Sequence, residues 1–329
     1  MYTPQATRTS GLYTGFTQLD PRHEIDPKPQ PGSVNSDTQP LDIVCLAGLY
    51  KSLYGSTPDG VFDLSGTWAL IFTQTYPGAR WFPDKPFSDD NNMYLPGAEI
   101  DEVHAKEWIT RLVKGIWPLN VRNPSKTELF SRIEDKARGA GGCCLYFQGH
   151  GVFTALSSKR YITAQNGIHP DEPWDGLDPK DMMDLLSLTD HLPWRIVATD
   201  FCRSGNCFSL QFVLYVDDEK AEWRTAHGWS GKQQPSPVIH FAGATEAEMV
   251  YEKDNLGGFF TKALSEYQEN LSLPSMLRAI RSQVNGLLED VKNIAPEVAA
   301  ADDTQTPQIF SSTKLSLEDT LALLHFQRS

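Results

Sequence analysis

Two short apolar runs constrain this chain more than anything else in it. The first, Gly142-Cys143-Cys144-Leu145-Tyr146-Phe147-Gln148-Gly149-His150-Gly151, is too short for a typical helix and ends on a histidine held between two glycines. The second, Trp194-Arg195-Ile196-Val197-Ala198-Thr199-Asp200-Phe201, is rich in β-branched residues and leads into Cys202-Arg203-Ser204-Gly205-Asn206. Continuous apolar stretches of this length read as strands buried on both faces, so the two are expected side by side in one sheet. In an open α/β sheet the loops at the carboxyl ends of the strands shape the pocket, which would bring His150 and Cys202 together as base and nucleophile. The glycines flanking His150 carry no side-chain bulk and would let a substrate backbone approach closely.

Charge narrows the partners. The chain has 329 residues, enough for a sizeable core, with 42 acidic against 29 basic side chains and a net charge of −13. An acidic surface argues against nucleic acid or an anionic membrane and suits a basic peptide or protein substrate. No apolar run approaches the roughly 20 residues of a membrane span, and the N-terminus lacks the basic and apolar segments of a signal peptide. The five cysteines, Cys45, Cys143, Cys144, Cys202 and Cys207, are sparse, odd in number and without zinc-type spacing. A reducing, cytoplasmic setting is therefore expected, with no structural metal.

Residues 1–65 read as a largely irregular N-terminal arm, rich in Pro, Gln, Thr, Ser and Asp up to about residue 40. The more apolar stretch 41–50 is a candidate for docking on the rest. Residues 66–329 read as one domain: a larger part at 66–216, an exposed polar linker at 217–236 and a smaller part at 237–329. Within it, Thr67-Trp68-Ala69-Leu70-Ile71-Phe72-Thr73 reads as the opening strand, Tyr161-Ile162-Thr163 as a short one, and Val238-Ile239-His240-Phe241-Ala242-Gly243-Ala244 as a later one. Helical spacing of Val103, Trp108, Ile109, Leu112 and Val113 predicts a helix over 101–115. Ser125-Lys126-Thr127-Glu128 fits a capping box opening a helix to about Lys136, and 178–188 reads as another. Leu273, Met276, Leu277, Ile280, Val284, Leu287, Leu288 and Val291 form a helical stripe, read as core packing. Alternating strands and helices imply an α/β fold: a mostly parallel central sheet of about six strands with helices on both faces.

These residues also carry a family resemblance. Phe147-Gln148-Gly149-His150-Gly151 resembles the Ser-Gly-His-Gly signature of metacaspases, and Asp200-Phe201-Cys202-Arg203-Ser204-Gly205 resembles their Asp-Cys-Cys-His-Ser-Gly signature. His150 and Cys202 lie 52 residues apart, close to the roughly fifty-residue spacing in caspases. Further motifs follow in family order from about Trp68 to Ser312. Leu95-Pro96-Gly97-Ala98-Glu99-Ile100-Asp101 resembles Leu-x-Gly-x-x-Asn-Asp, residues 258–261 resemble Gly-x-x-Thr, and 306–312 resemble the closing Pro-Gln strand.

The resemblance implies a caspase-like cysteine endopeptidase, working through a Cys202–His150 dyad and a thioester. It implies an oxyanion hole from the backbone N–H groups of Gly151 and Cys202, and a specificity pocket lined by Asp101, Asp200 and Gln148. Two carboxylates in that pocket would favour Arg or Lys before the cut. On the residues alone, Asp101 and Glu102 equally suit the first turn of a helix, where negative charge is favoured. Two positions depart from the family pattern: Gln148 replaces a serine, and Arg203 replaces a histidine. Arg203 would either depress the Cys202 pKa or pair with Asp200 and fill the pocket.

The resemblance implies calcium activation, but the residues argue against it, because Ser209 stands where the family has an aspartate, with Asp171, Glu172 and Asp175 as the remaining nearby oxygen donors. No cofactor is expected. Lys220, Arg224 and Lys232 in the polar linker are candidate autoprocessing sites, the alternative being an uncut surface loop. The rival to the enzyme is a proteolytically silent caspase-fold protein that works by binding a partner.

Overall fold

A computed structural model describes residues 66–81, 88, 92–113, 115–139, 141–151, 161–163, 175–268, 270–294 and 299–318. The arm at 1–65 and the donors Asp171 and Glu172 lie outside those residues. Residues 319–329 lie outside as well.

Four strands form the parallel centre: β1 (Trp68–Thr73), β3 (Cys143–Gln148), β6 (Arg195–Asp200) and β9 (Val238–Ala242). They are buried along their whole length, as the absence of a polar alternation in their sequences requires. Adding β2 (Leu119–Arg122), β7 (Phe212–Val216), β8 (Ala221–Thr225) and β12 (Gln308–Ser311) gives the order β2-β1-β3-β6-β9-β12-β7-β8. The sheet is parallel from β2 to β9 and antiparallel beyond.

Alternation within each central strand feeds two separate cores. Ile71, Cys144, Tyr146, Ile196, Ala198, Ile239 and Phe241 face one layer, packed by α1 (Ala98–Leu112), α4 (Phe259–Glu266) and α5 (Leu273–Ile294). Leu70, Phe72, Cys143, Leu145, Phe147 and Val197 face the other, packed by α2 (Lys126–Ala137) and α3 (Pro179–Ser187). The start of α2 is the expected one, since the Ser125 hydroxyl accepts the Glu128 N–H. At α3, Asp178 and Asp181 close a reciprocal capping box.

The sheet has eight strands among the described residues, not six, for a local reason. The polar stretch 217–236, expected as a linker, carries β8 and forms a hairpin with β7. Trp223 is buried and donates its indole N–H to the Leu315 carbonyl at 2.8 Å, while the Arg224 guanidinium lies 3.4 Å from the centre of the Tyr215 ring. Charged side chains on an otherwise open edge strand discourage pairing with another chain. Tyr161–Ile162 does pair, but with β5 (Gly176–Leu177) in a separate small ribbon.

Candidate active site

Register places the two reactive residues. Gln148 at the end of β3 pairs with Asp200 at the end of β6, so His150 and Cys202 each follow two residues beyond matched ends of adjacent parallel strands. Both line one pocket, together with Leu95, Asp101, Gln148, Asp200 and the segment Val250–Glu252.

His150 is fixed on every side. Its backbone N–H donates to the Tyr76 hydroxyl at 2.9 Å, and that hydroxyl donates to the Ile162 carbonyl at 2.8 Å. Its ring stacks on Tyr76 with centroids 4.8 Å apart and leans on Trp81 at 4.7 Å. A Cβ at Gly149 would stand 2.7 Å from the Tyr76 hydroxyl. That glycine therefore makes room for the tyrosine that orients the histidine, and it also lines the pocket.

The imidazole Nε2 lies 2.8 Å from the Met93 carbonyl, which can only accept. Nε2 thus carries the proton, and Nδ1 is the ring's basic nitrogen. Burial pulls the His150 pKa down to about 4, against the opposing pull of that carbonyl. Burial likewise pushes the Cys202 thiol up, opposed by the Val250 N–H and, more weakly, by Arg203. The pair in the empty pocket is therefore neutral thiol and neutral imidazole. Arg203 adopts φ 61°, turning the chain sharply after Cys202, and its N–H donates to the Glu248 carbonyl at 2.9 Å.

Three carboxylates converge on the same pocket. Asp101 projects from α1 and accepts the Gly258 N–H at 2.7 Å. Asp200 accepts the Thr261 N–H at 3.1 Å and the Thr261 hydroxyl at 2.5 Å, and the Tyr146 hydroxyl donates in turn to Thr261. Gly258 and Thr261, noted in the sequence only as a motif, are thus the donors that orient both acids. A Cβ at Gly258 would meet Asp200 at 2.3 Å. The third acid, Glu252 on the short strand β10 (Glu252–Lys253), is held by the Gly97 N–H and was not anticipated. Nothing near it in sequence marked it, because its position depends on a hairpin with β11 (Gly257–Gly258) folding back over α1.

In each acid one oxygen is anchored and the other, Asp101 Oδ2, Asp200 Oδ1 or Glu252 Oε1, is buried without a hydrogen-bond partner. Burial raises all three pKa values, and neighbouring acids add to it at Asp101 and Glu252: Asp101 lies well above the usual carboxylate range, Asp200 is raised to about 6 and Glu252 to about 8. Arg203 does not fill the pocket, since the hydrogen bonds of Asp200 run to Thr261 and its other oxygen is unpaired.

Among the described residues, no group of three or more His, Cys, Asp and Glu side chains is placed to hold a metal ion. The four described cysteines are not joined in disulfides, and no described helix is long and apolar enough to cross a membrane. Of the three expected processing sites, Lys220 sits in the β7–β8 turn capped by Asp217, and Arg224 lies within β8 bound to Glu222. Lys232 alone is in an exposed irregular loop.

A mostly parallel, two-layered α/β sheet that delivers a thiol and an imidazole to one acidic pocket defines a caspase-like architecture. The caspase-domain family profile (Peptidase_C14) matches residues 67–317, and the chain belongs to that family, whose members are generally cysteine peptidases. Among solved structures, caspase-1 from Spodoptera frugiperda aligns at 12% identity and a TM-score of 0.49, over 80% of this chain and 91% of that one. A Geobacter sulfurreducens protein aligns at 14% identity and a TM-score of 0.43, over 76% and 94%. No curated protein matches the chain.

Proposed function

We propose that this chain is a cysteine endopeptidase of the metacaspase type, cleaving after Arg or Lys and acting in the cytoplasm. The observation that carries the reading is the shared pocket: Cys202 and His150 line the same space as Asp101 and Asp200, each of which keeps one buried carboxylate oxygen without a hydrogen-bond partner. Buried acceptors without donors are costly, and a guanidinium or ammonium supplies donors and charge together. A caspase-like preference for Asp would instead add another carboxylate to the cluster.

In the reaction, His150 Nδ1 takes the Cys202 proton as the sulfur attacks the substrate carbonyl carbon. The carbonyl π electrons move to oxygen, and the backbone N–H groups of Gly151 and Cys202 are assigned to that oxyanion. One such donor is worth roughly 3 kcal/mol. Collapse expels the amine, which leaves with the proton from His150, and a thioester remains on Cys202. Water, deprotonated by His150, then releases the acid and restores the thiol. Calcium has no assigned step.

One observation favours the silent binding module: Cys202 is buried and its thiol is held protonated. A fluorogenic peptide ending in Arg, assayed with and without calcium against the purified chain and Cys202→Ala, separates the two readings. The enzyme requires cleavage that the variant lacks, by at least about 10³-fold. Absence of Cys202-dependent cleavage in every condition leaves the binding module.

A further inference from the structure

We propose that Gln305 is a positioning residue for the reactive thiol: its carboxamide holds the Val250–Tyr251 segment where the Val250 N–H meets Cys202. This rests on the reading of Cys202 as the nucleophile.

The segment needs an outside anchor. Val250 and Tyr251 both line the pocket with Cys202, yet residues 243–251 contain no strand or helix. A stretch without a ladder must find partners for its buried backbone groups elsewhere. They come from Thr304-Gln305-Thr306, distant in sequence. Pro307 biases Thr306 toward an extended backbone, and along an extended chain successive side chains point to opposite sides. Thr304 is exposed and Thr306 half-buried, and both hydroxyls bind the Glu248 carboxylate at 2.7 Å. Gln305 between them is fully buried and turns inward.

The inward contacts span the segment. Gln305 Oε1 accepts the Tyr251 N–H at 3.1 Å, and its Nε2 donates to the Gly243 carbonyl at 3.1 Å. A backbone N–H can only donate and a carbonyl only accept, so one orientation of the carboxamide satisfies both. The Gly243 end is fixed to β6, the strand that leads to the sulfur, because the Gly243 N–H donates to the Thr199 carbonyl at 2.8 Å. The Tyr251 end is fixed to α4, whose Phe259 N–H donates to the Tyr251 carbonyl at 2.9 Å. Between these ends the Glu248 carbonyl accepts the Arg203 N–H at 2.9 Å, and the Val250 N–H reaches the Cys202 sulfur, where it favours the thiolate. Gln305 therefore acts through Val250: it sets the distance between the strand that carries the sulfur and the donor that stabilises its charge.

The test is alkylation of Cys202 by iodoacetamide in the full chain at about pH 8, below the thiol pKa, where the rate follows the thiolate fraction. Mass spectrometry of the Cys202 peptide separates this thiol from the other cysteines. Gln305→Met, which keeps the length and removes the amide, is expected to slow alkylation about tenfold, equivalent to about one unit of thiol pKa. It should also lower kcat for the Arg peptide about tenfold while KM stays within about twofold. A role confined to packing predicts the opposite sign, since a loosened segment exposes the sulfur and speeds alkylation. Leu277→Ala, in α5, is the control for lost stability and should leave the rate unchanged. Thr306→Val, which takes one hydroxyl from Glu248, should slow alkylation about threefold, and it decides the matter if thermal melting shows Gln305→Met unfolded. Unchanged or faster alkylation in the folded variant overturns the proposal, and Arg cleavage by wild type then leaves the peptidase reading intact. Slower alkylation in a chain that cleaves no Arg peptide keeps the role of Gln305 and removes the peptidase.

Discussion

Asp101 shows how a single side chain carries opposing demands. Its Oδ1 is well served by the Gly258 N–H, but burial and two neighbouring acids hold its carboxyl protonated far above the usual range. The sign follows directly. The unfolded chain gives up this proton near the ordinary aspartate value of 3.8 while the folded chain keeps it, so the stability it contributes is present at low pH and lost as pH rises. Asn keeps the oxygen that accepts the Gly258 N–H but has no proton to lose. Asp101→Asn is therefore expected to melt higher than wild type at pH 8, with the gap closing toward pH 4, and to bind the Arg peptide more weakly. A variant that melts lower at pH 8 would contradict the assignment of buried, mutually repelling acids. The residue types at Cys202, His150, Asp101 and Asp200 were legible from motif order. Glu252 was not, because a lone glutamate in a polar stretch looks like any solvated charge.

Elements differ in how much of themselves they display in sequence. The stripe on α5 was readable because residues at three- and four-residue intervals share a face, and Leu273, Met276, Leu277, Ile280, Val284, Leu288 and Val291 are indeed buried against the sheet. Leu277→Ala is expected to cost about 2–4 kcal/mol by equilibrium urea unfolding, since the site is fully packed and collapses poorly. It should leave KM for the Arg peptide unchanged. A loss below about 0.5 kcal/mol would mean that the helix is not held by this face. The strand β8 fell within the stretch read as linker because it is half exposed and charged, and a short edge strand lacks the apolar run that marks a central one. The segment 245–250 was equally silent. It is ordered by Glu248, whose carboxylate accepts from the Thr245 N–H nearby and from Thr304 and Thr306, more than 50 residues away in sequence.

At the scale of the molecule, one buried ion pair ties distant parts together. Arg195, at the start of β6, has a fully buried side chain that binds Asp190 at 2.6 Å and the Ser236 carbonyl at 2.8 Å. It joins the loop after α3 to the segment that leads into β9. Asp190→Asn leaves the guanidinium buried without its counter-charge, and a loss of about 2–3 kcal/mol is expected in thermal or urea unfolding, reduced from the fully buried case because Asp190 is partly exposed. An unchanged melting temperature would show that the backbone carbonyls alone satisfy Arg195.

The sequence by itself determined the strands at the centre, the helices that cover them and the identity of the sulfur and imidazole. Those follow from local patterns: unbroken apolar runs, three- and four-residue periodicity and capping residues within a few positions of one another. Only the tertiary structure decided that a carbonyl of residue 93 sets the tautomer of His150, that a hairpin brings in a third acid, and that the acids are left with free oxygens. Such relations arise where segments far apart in the chain meet in a dry interior, and the desolvation that makes them consequential exists only once the chain has closed around them.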